Sequence, residues 1–212
     1  MPERIDLKNN QDLEKIVIKT TQILSQGGVI LYPTDTLYAL GVDALNKKAL
    51  KKIYAIKGRL KDKAISVLMS DKKMVKQYAT ISPQATKLIE AFLPGPLTLV
   101  LPLKPNQTNL ISENQKTLGI RIPKNNFCLS LSRQYNKPIT TTSANKSGSD
   151  TLSTPAAILK QLGSQASMID LIIDNGKLAK AKPSTVIEIS DNKINLIRPG
   201  AIARTKIETI IK

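Results

Sequence analysis

The sequence contains no histidine, no tryptophan and only one cysteine among its 212 residues. The absence of histidine excludes Ser-His-Asp and Cys-His catalysis and every histidine-ligated metal site. The single cysteine excludes an internal disulfide and a cysteine-clustered zinc site. Because Cys128 lies between Phe127 and Leu129, we interpret it as a small buried apolar side chain rather than a nucleophile. The remaining chemistry must use Lys, Arg, Ser, Thr, Asn, carboxylates or backbone amides.

Long apolar runs are also missing, and aromatic residues make up only 3% of the chain. No run approaches the ~20 residues that a membrane span requires, and the N-terminus lacks the apolar region of a secretory signal. We therefore expect no membrane insertion and a cytoplasmic location. An apolar content of 41% is enough for one sizeable aliphatic core, and one large domain is favoured over two small ones.

Positive charge dominates the composition, with 32 Lys plus Arg against 16 Asp plus Glu and a net charge of +16. This balance predicts attraction to polyanions such as RNA, DNA, nucleotides or an anionic membrane surface. A lysine-rich composition that only solvates the surface explains the same charge equally well. Net charge alone therefore permits an RNA-binding function without locating a site.

Helical and strand patterns alternate along the chain. Apolar spacing, caps and helix breakers predict helices over about 13–26, 47–56, 83–93 and 155–163, a short helix capped by Ser70, and a last helix with a capping box of Thr205 and Glu208. Short apolar runs predict strands at 29–32, 65–69, 97–101, 118–122, 139–142, 171–173, 185–189 and 194–198. This alternation predicts the α/β class, with a twisted mixed sheet and helices packed on it.

Neither common phosphate-binding loop is present, since G-x-x-x-x-G-K-[ST] and G-x-G-x-x-G do not occur. Another candidate is Lys57-Gly58-Arg59, at the end of a predicted helix. Its glycine lets the backbone approach a ligand closely, its arginine offers a planar fork and its lysine a point charge. These features favour a polyphosphate ligand, although most of the neighbouring lysines fit the solvated face of a helix.

A second polar segment runs from Thr140 to Gly148 and begins with four consecutive hydroxyl residues at a predicted strand end. Backbone amides and hydroxyls in such a loop can form a nest for phosphate or ribose. A polar surface loop is the alternative. Because burying four hydroxyls is costly, we favour a functional role.

Three further segments contain candidate ligand-binding residues. Thr34, Asp35 and Thr36 directly follow a buried strand, which is where ligands of α/β sheets gather. Taken alone, however, this segment is better explained as a turn in which Asp35 and Thr36 bond their own backbone. Arg121 and Arg198 lie in apolar strands, and each must reach the surface or meet an anion. A ligand and a structural salt bridge both remain open for them.

Taken together and in this order, these segments resemble the YrdC/Sua5 family of threonylcarbamoyl-AMP synthases, in its short form. The resemblance covers nearly the whole chain from about Gly27, in the segments Gly28–Leu40, Lys57–Leu68, Leu93–Pro102, Gly119–Pro123, Pro138–Gly148, Ser184–Ile187 and Arg198–Ile202. It implies a single YrdC-like domain over residues 1–212 and a curved α/β sheet that encloses a positively lined cavity. It also implies that L-threonine, bicarbonate and ATP, with Mg²⁺, give threonylcarbamoyl-AMP and pyrophosphate. A separate threonylcarbamoyl transferase complex would then modify certain tRNAs.

The resemblance also assigns residues to the two substrates. The expected threonine-binding residues are Thr34, Leu68, Arg121, Thr141 and Ser184, and the expected ATP-binding residues are Lys57, Arg59, Lys63, Thr117, Ser143, Asn145, Thr151 and Arg198. The sequence departs from the family pattern at Ala39, where glycine is usual, and at Leu60 and Ala64, where prolines are usual. It shows no candidate for a general base.

Two alternative functions are considered, one suggested by the net charge and one by the family resemblance. A non-catalytic RNA-binding protein of this fold would account for the positive charge. Carbamoyl transfer by related domains in hydrogenase maturation is a further possibility, but those domains usually sit in longer chains with zinc motifs, and this sequence has no such motif.

Overall fold

The computed structural model describes residues 2–9, 12–58, 65–107, 110–111, 115–190 and 193–211. Within these ranges the chain forms eleven β-strands and seven α-helices. The strands build two mixed sheets, and helices pack against them. The predicted α/β class is therefore confirmed, whereas two sheets replace the single predicted sheet.

The first sheet has five strands in the order β1 (Glu3–Asp6), β9 (Leu171–Asp174), β2 (Ile30–Pro33), β3 (Tyr38–Gly41) and β8 (Thr142–Ser143). Strand β9 pairs in parallel with both β1 and β2, and β3 is antiparallel to β2 and β8. Every residue of β2, β3 and β9 is buried. Such burial is typical of strands that are covered on both faces.

The second sheet has six strands in the order β11 (Lys193–Arg198), β10 (Thr185–Ser190), β5 (Leu97–Pro102), β6 (Thr117–Arg121), β4 (Ser66–Leu68) and β7 (Ile139–Thr140). The pairs β10–β5 and β4–β6 are parallel, and the other three pairs are antiparallel. Strand β11 forms one edge and is mostly exposed.

The helices are α1 (Leu13–Ser25), α2 (Lys47–Lys57), α3 (Lys72–Tyr78), α4 (Pro83–Phe92), α5 (Asn126–Tyr135), α6 (Pro155–Leu162) and α7 (Arg204–Ile211). The predicted caps of α4 and α6 are confirmed, since Ser82 and Thr154 accept hydrogen bonds from the main chain three residues ahead. Gly58 ends α2 in the left-handed region with φ 57°. Among the described residues, no helix has both the length and the apolar character needed to cross a membrane.

Two predicted helix starts are wrong. Helix α3 is capped by Asp71, whose carboxylate accepts a hydrogen bond from the Met74 amide at 2.8 Å. Thr205 lies inside α7 rather than at its cap, and Glu208 pairs with Arg204 at 2.6 Å. At α3 the neighbouring side chain takes the capping role, whereas at α7 the main-chain oxygen of Ala203 accepts from the amides of Lys206 and Ile207.

The apolar interior forms two clusters. The smaller one joins α1 and α5 to the first sheet and includes Ile16, Tyr32, Leu68, Phe127 and Cys128. The Cys128 thiol is fully buried and donates to the main-chain oxygen of Pro33 at 3.2 Å. Burial raises the pKa of this thiol well above its usual value, so the interpretation of Cys128 as a buried apolar residue is confirmed.

The chain crosses from one sheet to the other between residues 139 and 143. The sequence predicts one strand at 139–142, but β7 pairs with β4 of the second sheet and β8 pairs with β3 of the first. Between them, the Thr141 amide donates to the main-chain oxygen of Ser66 at 2.8 Å. This crossing places the hydroxyl-rich segment where the two sheets meet.

Candidate functional site

A cavity of about 550 Å³ is lined by residues of both sheets and by the end of α2. This volume lies within the ~300–1,000 Å³ typical of small-molecule sites. The polar and charged lining consists of Thr34, Thr36, Tyr38, Lys57, Ser66, Thr98, Gln115, Arg121, Thr141, Thr142, Ser143, Asn145, Ser147, Ser184 and Arg198. The described lining includes three cations and no carboxylate, so the cavity favours anionic ligands.

Arg121, at the end of β6, is 4% exposed. Its Nη2 forms a salt bridge with the carboxylate of Asp35 and lies 3.4 Å from the Thr36 hydroxyl. Its Nη1 is buried and has no hydrogen-bond partner in the described part of the chain. The sequence left a salt bridge and an anionic ligand open for this arginine, and the structure supplies the salt bridge while one buried nitrogen has no hydrogen-bond partner among the described residues.

The loop between β2 and β3 is a turn organised by Thr34. The Thr34 hydroxyl accepts hydrogen bonds from the amides of Thr36 and Leu37, both at 3.1 Å, and donates to the Leu37 oxygen at 2.7 Å. Asp35 instead reaches across to Arg121 and to the Lys124 amide. The predicted turn is thus present, but the expectation that Asp35 bonds its own backbone is wrong.

Ser184 contacts two strands of the second sheet, through Thr98 of β5 and Arg198 of β11. The Ser184 hydroxyl lies 2.8 Å from the Thr98 hydroxyl, and Arg198 Nη2 donates to the Ser184 main-chain oxygen at 2.8 Å and to its hydroxyl at 3.1 Å. The pKa of the Arg198 guanidinium is lowered, mainly because the group is partly desolvated and to a lesser extent because Arg121 is also positively charged. The two guanidinium groups therefore repel each other, and an anion bound near both would relieve that repulsion.

A close backbone approach fixes this part of the site. A Cβ atom at Gly200 would lie 2.4 Å from the Pro183 oxygen and 2.5 Å from the Thr185 nitrogen. The Ala201 amide also donates to the Pro183 oxygen at 2.9 Å. Glycine is therefore required where the segment after β11 packs against the turn that carries Ser184.

Lys57 holds the hydroxyl-rich loop against the end of α2. Its ammonium, on a residue that is 4% exposed, donates to the main-chain oxygens of Ser143 and Asn145 and to the Asn145 side-chain oxygen. The Ser143 hydroxyl donates to the same side-chain oxygen at 2.7 Å. In return, the Ser147 amide donates to the Lys57 main-chain oxygen at 2.9 Å. These bonds make the end of α2 and the 143–147 loop one cavity wall.

The structure brings most of the predicted site residues to this cavity. Its lining includes Thr34, Lys57, Arg121, Thr141, Ser143, Asn145, Ser184 and Arg198. Leu68 lies in the smaller core and Thr151 is exposed, and neither is among the described lining residues. Thr117 shares a strand face with Arg121 but lies beyond the lining. Arg59 and Lys63 lie outside the described residues.

Ser66, Thr98 and Gly119 line the cavity but were not singled out individually in the sequence. Thr98 is a buried hydroxyl within the apolar run of β5, and this interruption was a usable signal. Gly119 had no such signal, because the need for it arises from a neighbouring strand. A Cβ there would lie 2.7 Å from the Ser66 hydroxyl.

Among the described residues, the donor set does not fit a metal ion held by protein side chains alone. The described residues contain no cluster of three or more His, Cys, Asp or Glu side chains. Mg²⁺ binds few protein carboxylates and prefers oxygen ligands that include substrate phosphates. A Mg²⁺ ion at this cavity would therefore need its ligands from the nucleotide.

Comparisons by family model, by sequence and by structure all match the same group of known proteins. The family model for Sua5, YciO and YrdC, described as "Telomere recombination", matches residues 22–200. A Methanocaldococcus jannaschii protein, to which threonylcarbamoyl-AMP synthase activity is provisionally assigned, is 38% identical over 94% of this chain and 92% of its own length. The Bacillus subtilis threonylcarbamoyl-AMP synthase is 33% identical over 92% of this chain, which spans 56% of that protein.

Two solved structures share the fold over almost the whole chain. Pyrococcus abyssi Sua5 complexed with L-threonine aligns with a TM-score of 0.87 and 29% identity, covering 100% of this chain and 61% of Sua5. Escherichia coli YciO aligns with a TM-score of 0.83 and 30% identity, covering 98% of both chains. The E. coli YciO sequence is that of an uncharacterized protein, so these relatives include proteins with and without an assigned activity.

Proposed function

Because the chain belongs to the Sua5/YciO/YrdC family, we propose that it synthesises threonylcarbamoyl-AMP from L-threonine, bicarbonate and ATP, with release of pyrophosphate. The observation that carries this proposal is a cavity with one buried arginine donor unpaired, a second guanidinium and a lysine-braced polar loop. These features match an amino-acid carboxylate at one end and phosphates at the other.

The threonine end of the cavity lies near Arg121. Its guanidinium binds the carboxylate of threonine, and the hydroxyls of Thr34, Thr141 and Ser184 supply the surrounding polar contacts. Leu68 is fully buried on β4, where it pairs directly with Arg121 of β6 in the same sheet. In this proposal Leu68 acts by packing rather than by direct contact.

The nucleotide end is formed by the 143–145 loop and Arg198. Lys57 keeps Ser143 and Asn145 in place, so that main-chain and side-chain groups of the loop bind ATP. Arg59, Lys63, Thr117 and Thr151 belong to this proposal as further nucleotide contacts. A Mg²⁺ ion held by the ATP phosphates would supply charge neutralisation there.

The reaction needs no histidine. The threonine amine first forms a carbamate, either with carbon dioxide and loss of a proton or with bicarbonate and loss of water. A carbamate oxygen then attacks the α-phosphorus in line and displaces pyrophosphate. Such a transfer depends on positioning and on neutralising charge. In this proposal Arg198, which donates to Ser184, stands at the junction where the carbamate meets the α-phosphate and stabilises the charge that develops there.

The proposal also includes the enzyme that uses the product. Threonylcarbamoyl-AMP passes to a separate threonylcarbamoyl transferase complex in the cytoplasm, for tRNA modification. With a net charge of +16, the surface is suited to tRNA contact, and such binding would weaken steeply with salt.

The test incubates the protein with ATP, L-threonine, labelled bicarbonate and magnesium. We expect a labelled adenylate and threonine-dependent pyrophosphate, and their absence would contradict the proposal. In Ser143→Ala, we expect kcat/KM to fall by about 10²-fold, as when one donor is lost from a charge-stabilising site. Arg59→Ala should also lose activity while it remains folded. The exposed Ser167 provides a matched control, and Ser167→Ala should retain wild-type turnover.

A further inference from the structure

Asp35 is a nearly buried carboxylate whose partner lines the cavity. The side chains of Arg121 and Asp35 are 5% and 11% exposed. Arg121 contributes to the cavity lining, whereas Asp35 is not among the described residues that line it. Asp35 therefore supports the site from behind Arg121.

Each oxygen of the Asp35 carboxylate has its own partner. Oδ1 pairs with Arg121 Nη2, and Oδ2 accepts a hydrogen bond from the Lys124 amide at 3.1 Å. The second partner belongs to the main chain just before α5, so the carboxylate cannot rotate freely. A carboxylate fixed at both oxygens imposes one orientation on the guanidinium that it binds.

The other terminal nitrogen of the guanidinium lacks a hydrogen-bond partner among the described residues. Arg121 Nη1 is buried without a hydrogen-bond partner in the described ranges. A buried donor of a charged group is costly to leave unpaired, and such groups in folded proteins call for a specific explanation. A ligand carboxylate would satisfy this nitrogen.

We propose that Asp35 is a positioning residue for the amino-acid substrate: it anchors the Nη2 side of Arg121 and thereby holds Nη1 for the substrate carboxylate. The identity of that ligand as L-threonine rests on the proposed function. Asp35 touches neither the substrate nor the nucleotide, and its effect is transmitted through Arg121. Asp35 therefore raises the affinity for threonine and leaves the affinity for ATP unchanged.

Two consequences of removing the Asp35 charge oppose each other. An uncompensated Arg121 would attract any anion more strongly, but its guanidinium would lose the partner that orients it. Recognition of one carboxylate depends on direction as well as charge. We expect the loss of orientation to dominate for threonine.

The test is a calorimetric titration of L-threonine and, separately, ATP into wild type, Asp35→Asn and Glu90→Gln. Glu90 is an exposed carboxylate that pairs with Lys72 at 2.6 Å, so Glu90→Gln is the matched control. In Asp35→Asn we expect threonine affinity to fall roughly tenfold to hundredfold, as when a positioning group is displaced by about 1 Å, with ATP affinity unchanged. Wild-type threonine affinity in this variant, or an equal loss of affinity for both ligands, would overturn the inference.

A double-mutant cycle tests whether Asp35 acts through Arg121. When Asp35→Asn is added to Arg121→Ala, threonine affinity should fall no further, because the coupled partner is already gone. A second loss as large as that in the wild-type background would overturn the inference.

A structure of the wild-type protein with L-threonine gives a test that needs no variant to fold. The substrate carboxylate should lie within hydrogen-bond distance of Nη1 while Asp35 stays on Nη2. Threonine bound away from Arg121, or Asp35 turned away from it, would overturn the inference.

The binding measurements separate this inference from the proposed function. A wild-type protein that binds threonine but releases no pyrophosphate contradicts the function and leaves the role of Asp35 to be decided by affinity. An active enzyme whose Asp35→Asn variant binds threonine normally contradicts only the role of Asp35. A wild-type protein that binds no threonine contradicts both.

Discussion

The ammonium of Lys57 donates hydrogen bonds to both oxygens of Asn145, at 3.0 Å to the main chain and 3.2 Å to the side chain. A third bond, at 2.5 Å, reaches the main-chain oxygen of Ser143. These three bonds engage the Lys57 ammonium with the loop itself. Lys57 therefore shapes this wall of the cavity and adds charge to it, and Ser143 and Asn145 line the cavity beside it.

Replacing Lys57 by methionine should destabilise the protein and weaken ATP binding together. The variant retains the length of the side chain but leaves buried acceptors without donors, at a cost of about 1–3 kcal/mol. Thermal denaturation and ATP titration measure the two effects. Lys51→Met, on the exposed face of α2, is the control and should change stability by no more than about 0.5 kcal/mol. An unchanged melting temperature with normal ATP affinity in Lys57→Met would contradict this role.

Replacing Gly200 by alanine should disturb the site through the backbone. The added Cβ would lie 2.4 to 2.5 Å from main-chain atoms of Pro183, Ser184 and Thr185, and a relieving shift moves Ser184 relative to Arg198. We expect a destabilisation of about 1–3 kcal/mol, typical of overpacking, together with lower affinity for both substrates. Urea denaturation and ligand titration measure these changes. The neighbouring exposed residue provides the control, Ala201→Ser. Equal stability and affinity in wild type and Gly200→Ala would show that the turn adapts without cost.

Alkaline pH should destabilise the protein through buried tyrosines. Tyr38 is 1% exposed, and desolvation by burial raises its pKa to about 12. A tyrosine in the unfolded chain ionises near pH 10, so the unfolded state loses the proton first. The stability that Tyr38 contributes is fully present below about pH 10 and is lost as the pH rises to about 12, a change of roughly 2–3 kcal/mol for about two pKa units.

The measurement compares wild type with Tyr38→Phe by urea denaturation at about pH 9 and about pH 12. The variant should lose less stability between the two pH values, although its starting stability is lower because its hydrogen bonds to Asn175 and Gly176 are gone. Burial also raises the pKa of Tyr32 and Tyr135, so part of the alkaline loss should remain. The same decline in both proteins would exclude a contribution from Tyr38.

Local signals in the sequence predicted many elements well. Ser82, Thr154 and Gly58 mark helix ends through bonds and dihedral angles that involve only near neighbours in the chain. Helix α5 was not predicted, although its signal was present. The Asn125 side chain caps it by accepting from the Cys128 amide at 3.0 Å, and its buried residues Phe127, Cys128, Leu131 and Tyr135 follow helical spacing.

The division of segment 139–143 had no comparable signal. Ile139 and Thr142 fit one β-strand equally well, because strand propensity does not state which partner a strand will have. Hydrogen bonds to β4 on one side and to β3 on the other decide that the chain changes sheets at Thr141. This change of sheet places Thr141 and Ser143 together in the cavity lining.

The sequence by itself determined the α/β class, most helix and strand positions and the chemical inventory of an anion site without histidine. Only the tertiary structure decided what each cation does. Asp35 and Arg121 lie 86 positions apart, and Lys57 and Asn145 lie 88 apart. Caps and apolar periodicity depend on neighbours along the chain, whereas the partner of a buried charge depends on which distant segments the fold brings together. For this reason the sequence could name Arg121 and Lys57, but only the fold shows that one retains an unpaired donor and that the other braces the loop.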